Sequence, residues 1–388
     1  MEFAFTPAEE RFRADLLTFL ATELPAWWRG MFVEDARVMP FTRDFCRRLA
    51  GRGWLVMGWP RAHGGADAGP WMQQILREVM WAHDEPRGPQ YMNLNYIGPC
   101  LMRFGSPAQQ ARFLPPMAAG DVLWTQGFSE PGAGSDLAAV STRALRRGDR
   151  FVVAGQKIWN SYADAPADWC FLLVRTSTEP KRHHGLAILL VDMRTPGITV
   201  RPIASMAGPH ELNEIFFDDV EVPVDCLLGA EGQGWEIATA GLTFERVGIA
   251  RYARAGRVIE LLVEHVRAVG LDGDSEVRRE LASLRVAYEA ARLLTYRAIS
   301  LQASGAVPSV EASIARLHNA QIEQQVADVG LALLGLGGVR TADDPVAPVA
   351  GLLHRQWVRT IPTTITAGTL EVQKNIIAER GLGLPRVR

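Results

Sequence analysis

The stretch Gln-Gly-Phe-Ser-Glu-Pro-Gly-Ala-Gly-Ser-Asp at residues 126–136 joins a region of helical periodicity to a region of short strand-like runs. Its proline and glycines prevent regular structure and let the backbone come close to a ligand. Ser129, Ser135 and the N–H groups of the loop could then bind a phosphate or the edge of a heteroaromatic ring. An ordinary Gly-Pro surface turn explains the same residues equally well. A Rossmann site is disfavoured, because we expect no strand before this loop and see no third glycine opening a helix.

Outward from this loop the chain has three regions. Before it, apolar residues recur at helical spacing, as in the stripe Phe12, Leu16, Leu17 and Leu20. From 122 to 229, short apolar runs alternate with turn residues, and 186–193 is predicted to be a buried strand. No helix-length segments separate these runs, which favours an antiparallel sheet. After residue 232 the pattern predicts helices over 236–269, 274–304, 309–334 and 369–380.

Composition excludes several classes of protein. Of 388 residues, 48% are hydrophobic and 22% charged, and the net charge is −2, which excludes disorder as the main state. Because 41 Lys and Arg are balanced by 43 Asp and Glu, a basic surface for nucleic acid is not expected. We also expect no membrane span, no secretory signal and no metal site, since the four cysteines are far apart and the histidines lack metal-binding spacing. The expected location is the cytoplasm.

A second informative segment is Gln-Lys-Ile-Trp-Asn-Ser at residues 156–161. Trp159 stands in a strand-like run beside small polar residues, so it could pack against a flat aromatic ligand while Ser161 binds the edge of that ligand. A tryptophan buried in a core or an interface is the alternative, and most buried tryptophans have that role.

Together these segments resemble the acyl-CoA dehydrogenase family of FAD-dependent enzymes. The family typically has Thr/Ser-Glu-Pro-x-Ala/Gly-Gly-Ser-Asp in the loop and Gly-x-Lys-x-Trp-Ile-Thr/Ser in the strand. Further similar segments are Phe-Phe-Asp-Asp-Val-Glu-Val-Pro at 216–223, Leu-Thr-Phe-Glu-Arg-Val-Gly-Ile-Ala at 242–250, and the tail at 368–386. The resemblance covers almost the whole chain.

The resemblance implies an α+β fold of three domains. These are an N-terminal α-helical domain over 1–121, a central antiparallel β-domain over 122–231, and a C-terminal four-helix bundle with an FAD-binding tail over 232–388. It also implies a homotetramer or dimer. The implied reaction converts an acyl-CoA or carrier-bound acyl thioester into the trans-2-enoyl thioester, with the hydride passing to flavin N5 and electrons leaving to an electron-transferring flavoprotein.

The resemblance also assigns residues. Positions matching those that contact the isoalloxazine ring are Phe128, Ser129, Trp159 and Ser161, and those matching contacts to the ribityl and phosphate portion are Thr369 and Glu371. Positions assigned to substrate binding are Ser135, Arg246 and Ala367, and the backbone N–H of Ala367 is expected to polarise the thioester carbonyl.

The catalytic base differs from that of short- and medium-chain members, which use the glutamate of Tyr-Glu-Gly-Thr. Here the matching run is Thr-Ala-Gly-Thr at 366–369, and alanine cannot accept a proton. Glu245 occupies the position used by isovaleryl-type and long-chain-type members. On a helix it shares a face with Gly241, Leu242, Gly248 and Ile249, which leave room for a ligand and should raise the pKa of the Glu245 carboxyl by partial burial. A buried glutamate paired with an arginine is the alternative, although adjacent Arg246 diverges from it on a helix.

A second departure concerns the bundle, where many members carry Arg-x-x-Phe-Gly and this chain has Asp-Ser-Glu-Val-Arg-Arg-Glu-Leu-Ala-Ser-Leu at 274–284. The resemblance therefore does not assign the residues by which a neighbouring subunit would contribute to the FAD site. Two other functions also stay open: an acyl-CoA oxidase or flavin monooxygenase of the same fold, and a non-catalytic subunit of a heteromeric dehydrogenase.

Overall fold

The computed structural model describes residues 4–33, 35–164, 167–206, 208–247 and 250–386, with the side chains of 209–211 and 243–247 outside the description. The chain splits into two compact units. The unit formed by Met1–Ala26, Gly69–Glu85 and Arg246–Arg388 is called the helical unit. The unit formed by Trp27–Ala68 and Pro86–Glu245 is called the sheet unit. The three predicted domain ranges remain a prediction.

The helical unit contains seven α-helices among its described residues. They are α1 Pro7–Glu23, α3 Pro70–Ala82, α8 Arg251–Ala268, α9 Ser275–Ala303, α10 Val310–Leu334, α11 Leu352–Thr363 and α12 Leu370–Ile376, with single 3₁₀ turns at Gly335–Gly337 and Pro348–Gly351 and a π-turn at Ile377–Gly381.

Local sequence explains where the helices of this unit begin. Thr6 and Glu9 form a capping box at α1, in which the Thr6 N–H donates to the Glu9 carboxylate at 2.8 Å and the Glu9 N–H donates to Thr6 Oγ1 at 3.3 Å. Asp274 caps α9 by accepting from the N–H groups of Glu276 and Val277. The inward face of α1 differs from the predicted stripe, because Leu17 is 42% exposed and Phe19 is buried beside Leu20.

One helix boundary was wrong in the sequence analysis. The segment 236–269 was expected to be one helix, but α7 ends at Val247 and α8 begins at Arg251. Ala250, just before α8, has φ −103° and ψ 44°, which is not helical. Apolar periodicity continues through the break, so periodicity alone could not reveal it. Gly248 and Ile249, two predicted neighbours of Glu245, lie outside the described residues.

The sheet unit combines helices with one eight-stranded sheet. Its elements are α2 Val38–Gly51, α4 Gln90–Met92, a π-turn Asn93–Ile97, α5 Gly98–Phe104, α6 Pro107–Ala118, β1 Trp124–Gly127, β2 Arg143–Arg147, β3 Arg150–Ser161, β4 Trp169–Arg175, β5 Leu186–Asp192, β6 Ile198–Ser205, β7 Gly208–Pro223, β8 Leu227–Leu228 and α7 Gly234–Val247, with single 3₁₀ turns at Arg61–His63, Leu137–Ala139, Arg182–Gly185 and Val224–Cys226.

The strand order is β6-β7-β3-β2-β4-β5-β8, and β1 pairs with β4. Most neighbours are antiparallel, as predicted, and β5 is buried as expected. Two pairs among the described strands are parallel: β1 runs along β4 in the register Trp124↔Trp169 to Gly127↔Leu172, and β2 meets β4 at Arg143↔Arg175. The expectation that no strand precedes the 126–136 loop was therefore wrong. A Rossmann arrangement is still not formed, because the loop leads only into the single turn Leu137–Ala139.

Among the described residues, no helix is both long enough and apolar enough to cross a membrane. Within the same residues, no group of three or more His, Cys, Asp or Glu side chains is arranged to hold a metal ion.

Gly330 of α10 offers a test of packing in the helical unit. A Cβ at this position would lie 2.4 Å from Leu353 Cδ1, and Leu353 is 1% exposed. We expect Gly330→Ala to lower the free energy of unfolding by about 1–3 kcal/mol, since overpacking outweighs the better helix propensity of alanine. Urea unfolding followed by circular dichroism measures the change. Gly51→Ala at the end of α2, with nothing within 4 Å, is the control and should not destabilise. Equal stability of the two variants would contradict the prediction.

Candidate functional site: the loop after β1 and the bulge in β3

The loop after β1 is held by its aromatic residue and its backbone. Phe128 is 5% exposed, stacks on Phe171 with ring centroids 6.1 Å apart, and meets Tyr96 edge-on at 6.2 Å. The carbonyl of Ser129 accepts from the N–H of Ile158 in β3 at 2.9 Å, and the Ser129 side chain is half-buried. The loop therefore runs along β3 before it turns away.

A buried ion pair fixes the same loop from inside. Lys157 is completely buried, and its Nζ donates to a Glu130 carboxylate oxygen at 2.8 Å and to the Phe128 carbonyl at 2.9 Å. Glu130 also accepts from the N–H and hydroxyl of Ser141, both at 2.7 Å, and from the N–H of Thr142 at 2.8 Å. Because a trans peptide is planar, the Phe128 carbonyl that faces Lys157 leaves the N–H of Ser129 pointing the opposite way.

The ion pair shifts the pKa values of both partners. Burial alone would raise the pKa of Glu130, but the charge and hydrogen bond of Lys157 and the Ser141 and Thr142 donors lower it to about 2. Burial lowers the pKa of Lys157 to about 8, and Glu130 opposes that shift. Both groups are charged at neutral pH, so the loop carries a compensated pair and not a catalytic acid.

Trp159 leaves the sheet at a β-bulge. The register of β3 on β7 shifts between the pairs Lys157↔Ile215 and Asn160↔Asn213, so two residues of β3 face one of β7. Trp159 sits in this bulge with φ 65°, a left-handed conformation rare for an aromatic residue, and it is 55% exposed. The alternative of a core tryptophan is thus wrong, and the indole is presented outside the sheet.

Hydrogen bonds hold the bulge beside the loop. Asn160 Nδ2 donates to the Gln126 carbonyl at 2.5 Å, and Asn213 Nδ2 donates to the Asn160 carbonyl at 3.1 Å. Thr125 Oγ1 donates to the carbonyl of Ser161 at 3.0 Å, and Ser161 is half-buried. The structure therefore brings Phe128, Ser129, Trp159 and Ser161 together on β1, its following loop and β3. A flat exposed aromatic face with two nearby serine hydroxyls fits a planar heteroaromatic ring such as that of FAD.

The outer part of the loop is open. Ser135 is exposed, and a Cβ placed on Gly132 or Gly134 would meet nothing within 4 Å. Neither glycine has a positive φ, so the fold itself does not require glycine at these two positions. Close approach of a ligand to this backbone remains the sequence-based explanation for them.

The tail residues form a turn in the helical unit, between α11 and α12. Buried Arg316 of α10 donates to the carbonyl of Thr363 and, at 2.8 Å, to that of Thr366. Gln373 Nε2 donates to the carbonyls of Ala367 and Gly368 at 3.3 and 3.4 Å. The turn is thus held by one cation and one amide, which bind different carbonyl groups along it.

Ala367, Thr369 and Glu371 occupy distinct positions in this turn and the helix after it. Ala367 is half-buried with φ 56°. Thr369 caps α12, since its Oγ1 accepts from the N–H of Val372 at 3.2 Å, and Glu371 is exposed in the first turn of α12. The cap means that the Thr369 oxygen already serves the helix, which the sequence motif did not reveal.

Glu245 lies within the backbone limits of α7, as predicted. Its side chain and that of Arg246 lie outside the described side chains, so the expected pKa shift and contacts of Glu245 stay predictions. One turn earlier, Gly241 is buried, and a Cβ there would meet the Tyr96 ring at 1.9 Å. The space beside Gly241 is therefore filled by the Tyr96 ring, and the expectation that this glycine leaves room for a ligand was wrong.

The sequence analysis missed Tyr96, Glu130, Lys157 and Arg316 as residues that build the site. The sequence pattern around Lys157 could have indicated its role, because it is one of only three lysines in the chain and stands in a strand-like run. An isolated lysine between apolar strand residues indicates a buried partner, and Glu130 of the Ser-Glu-Pro segment is that partner.

Comparison with known proteins agrees with this architecture. Sequence models of the acyl-CoA dehydrogenase N-terminal, middle and C-terminal domains match residues 6–121, 125–220 and 232–382. The acyl-CoA dehydrogenase IpdE1 of Mycobacterium tuberculosis is 36% identical, covering 97% of this chain and 98% of the relative. Human mitochondrial short-chain specific acyl-CoA dehydrogenase is 30% identical, covering 86% and 81%. The chain belongs to the acyl-CoA dehydrogenase family.

Solved structures give the same result. The structure described as the Tcur3481-Tcur3483 steroid ACAD has a TM-score of 0.93, 30% identity and full coverage of both chains. The ChsE4-ChsE5 complex from Mycobacterium tuberculosis has a TM-score of 0.89 and 31% identity, again over both full chains. The resemblance drawn from the motifs and the three-domain α+β fold are confirmed. Proteins of this family are FAD-binding flavoproteins, and the chain is an oxidoreductase that acts on the CH–CH bond of an acyl-CoA.

The Glu130–Lys157 pair predicts an acid-sensitive stability. The pKa of Glu130 is lower in the folded chain than its ordinary 4.5, so its stabilising effect is complete above about pH 4.5 and disappears as the pH falls toward about 2. We expect up to about 3 kcal/mol of stability to be lost in that window. In Glu130→Gln the loss should be much smaller, while stability at pH 7 falls by about 3–5 kcal/mol because Lys157 keeps an uncompensated charge.

Urea unfolding between pH 2 and pH 7 measures both effects. Exposed Glu10→Gln is the control and should keep the pH dependence of the parent chain. An unchanged acid slope in Glu130→Gln would show that other carboxylates cause the loss.

The left-handed φ of Ala367 predicts that glycine at this position makes the folded chain more stable. A left-handed φ costs an L-residue about 1–2 kcal/mol, and glycine adopts it freely at an entropy cost of about 0.5–1 kcal/mol. We expect Ala367→Gly to raise the free energy of unfolding by about 0.5–1 kcal/mol. Ala327→Gly, in the interior of α10, is the control and should destabilise. A loss of stability in Ala367→Gly would be inconsistent with strain at this position.

Proposed function

We propose that the chain catalyses the α,β-dehydrogenation of an acyl-CoA thioester to the trans-2-enoyl thioester, with Glu245 as the base. The observation that carries the proposal is the exposed indole of Trp159, held at a bulge beside Ser129 and Ser161. That corner offers an aromatic face and hydroxyl groups to a planar ring. Bound FAD would supply the two-electron oxidant that takes the hydride from Cβ.

Each assigned residue has a role in this proposal. Phe128, Ser129, Trp159 and Ser161 bind the isoalloxazine ring, and Thr369 and Glu371 bind the ribityl and phosphate portion. Phe128 is buried, so it contributes its backbone and packing and not its ring face. Thr369 uses its Oγ1 as a helix cap, which leaves its hydroxyl proton as the donor to a ligand. Ser135, Arg246 and the backbone N–H of Ala367 bind the thioester substrate.

Glu245 removes the proton from Cα of the substrate. A carboxylate can do so only when the thioester carbonyl is polarised and water is excluded. Polarisation lowers the pKa of the Cα–H group and exclusion of water raises the pKa of a carboxyl group, so the two pKa values come closer together. Alanine at 367 removes the carboxylate used by short- and medium-chain members, and this supports a base at the α7 position.

The names of the structural relatives support a more specific substrate and assembly. A relative with 30% identity is described as a steroid ACAD, so we propose a ring-bearing acyl-CoA as the substrate. Two relatives are named as pairs of chains, Tcur3481-Tcur3483 and ChsE4-ChsE5. This chain also lacks the Arg-x-x-Phe-Gly segment. Together, these observations favour assembly with a second dehydrogenase chain and not a homotetramer. An electron-transferring flavoprotein remains the proposed electron acceptor.

Anaerobic titration tests the reaction and the substrate together. The purified flavoprotein is mixed with straight-chain, branched and steroid-side-chain acyl-CoAs, and the loss of flavin absorbance is followed. We expect the ring-bearing compound to reduce the flavin at the lowest concentration. Reduction by straight chains alone would contradict the substrate class, and a purified chain without flavin would favour the non-catalytic subunit. Stoichiometric peroxide in air would favour the oxidase.

The base assignment has its own test. We expect Glu245→Gln to retain bound FAD and to lose substrate-dependent flavin reduction by at least about 10²-fold, the lower end of general-base contributions. Glu236→Gln, an exposed glutamate in the first turn of the same helix, is the matched control and should reduce normally. The double variant Glu245→Gln/Ala367→Glu should recover part of the activity toward short acyl chains. Normal reduction by Glu245→Gln would exclude this base.

A further inference from the structure

Tyr96 is a buried tyrosine in an irregular helical segment of the sheet unit. It lies in the π-turn Asn93–Ile97, between α4 and α5, and is 1% exposed. A π-turn holds one more residue per turn than an α-helix and is found frequently at functional sites. The extra residue changes the direction of the side chains that follow it, so the position of the Tyr96 ring depends on this turn.

One edge of the Tyr96 ring lies against α7. A Cβ on Gly241 would be 1.9 Å from Cε2 and 2.5 Å from Cδ2 of this ring, so no residue larger than glycine fits there unmoved. One turn earlier on α7, the carbonyl of Ile237 accepts a hydrogen bond from Cys100 Sγ at 3.8 Å. Ile237 meets Cys100 and Gly241 meets Tyr96, so the two helical segments run antiparallel in contact.

The other side of Tyr96 lies against β1 and β4. Its Oη accepts a hydrogen bond from Gln126 Nε2 at 3.2 Å. The ring meets Phe128 edge-on at 6.2 Å and Phe171 edge-on at 5.5 Å. Gln126 is in β1, two residues before Phe128, and its carbonyl is bound by Asn160 of β3. A single side chain therefore touches α7 on one side and the start of the 126–136 loop on the other.

We propose that Tyr96 is a positioning residue that sets the distance between residue 245 on α7 and the Phe128–Ser129 loop. The inference rests on the proposed function, in which Glu245 is the base and the loop binds the isoalloxazine ring. Residue 245 follows Gly241 by four positions, which is one turn along the same helix. Moving the Tyr96 contact thus moves the base relative to the loop, while the ion pair of Lys157 and Glu130 holds the loop itself.

The chemistry makes this distance critical. The base must remove a proton from Cα while a hydride leaves Cβ, so the two partners must fit opposite faces of adjacent carbons. A misplacement of about 1 Å can reduce such a rate by about 10²-fold. A methyl group at residue 241 needs ordinary van der Waals contact of at least 3.4 Å where only 1.9 Å exists, so either α7 or Tyr96 must move by about 1.5 Å.

Four variants test the proposal, each purified with FAD bound. Gly241→Ala displaces the contact, and we expect it to slow flavin reduction by a ring-bearing acyl-CoA by about 10²-fold. Tyr96→Leu removes the spacer and should slow reduction similarly. Tyr96→Phe keeps the ring and loses the hydrogen bond to Gln126, and it should slow reduction by about two- to tenfold. In Gly241→Ala/Tyr96→Leu the smaller side chain makes room for the methyl group, so reduction should be faster than in Gly241→Ala alone.

Two measurements separate positioning from a general loss of structure. The kinetic isotope effect with Cα-deuterated substrate should rise in Gly241→Ala and Tyr96→Leu, because a misplaced base makes proton transfer more rate-limiting. Hydrogen exchange of peptides covering 241–247 should increase in Tyr96→Leu, and it needs no turnover. Unchanged rates of flavin reduction and unchanged hydrogen exchange in these variants would overturn the proposal. Rate losses that are fully explained by loss of bound FAD would overturn it as well. If none of the acyl-CoAs reduces the flavin of the parent chain, the proposed function fails. The hydrogen-exchange result then still decides whether Tyr96 positions α7.

Discussion

The buried ion pair of Lys157 and Glu130 is the interaction on which the candidate site depends. An ammonium group with no exposed surface is stable only if a carboxylate and further acceptors surround it. Glu130 meets that need, and it takes three more hydrogen bonds from Ser141 and Thr142. The pair thus joins β3, the start of the loop and the end of the loop. None of these three segments can move away without leaving a charge in the interior.

The consequence of that constraint is seen two residues later. Lys157 is the last residue of β3 in regular register before the bulge, and Trp159 within the bulge faces outward. The loop and the bulge are therefore fixed by one element, which explains how an exposed indole and two serines keep a constant arrangement. Tyr96 extends the same rigid group toward α7 through Gln126. Rigid support of this kind is what preorganises a site on loops.

The sequence predicted much of the fold because its signals are local. Apolar spacing predicted the start of α9 to within one residue, and short runs between turn residues predicted the mostly antiparallel sheet. The break before Ala250 was missed because apolar periodicity continues across it, and β1 was missed because four residues carry little pattern. The clustering of Phe128 with Trp159 followed from motif resemblance. Tyr96 and Arg316 could not be predicted, since their contacts lie far apart in the sequence and no motif includes them.

Ala367 shows a backbone property whose consequence is evolutionary. At φ 56° unbranched L-residues such as alanine and glutamate have a similar backbone penalty, and the Arg316 and Gln373 contacts that shape the turn go to carbonyl groups and not to side chains. Exchange of alanine for glutamate at 367 therefore leaves the backbone energy of the turn nearly constant. Selection at this position can act on side-chain chemistry alone, so a carboxylate can be gained or lost there without a compensating change in the fold. Such a turn is compatible with the proposed position of the base at Glu245, on a different helix.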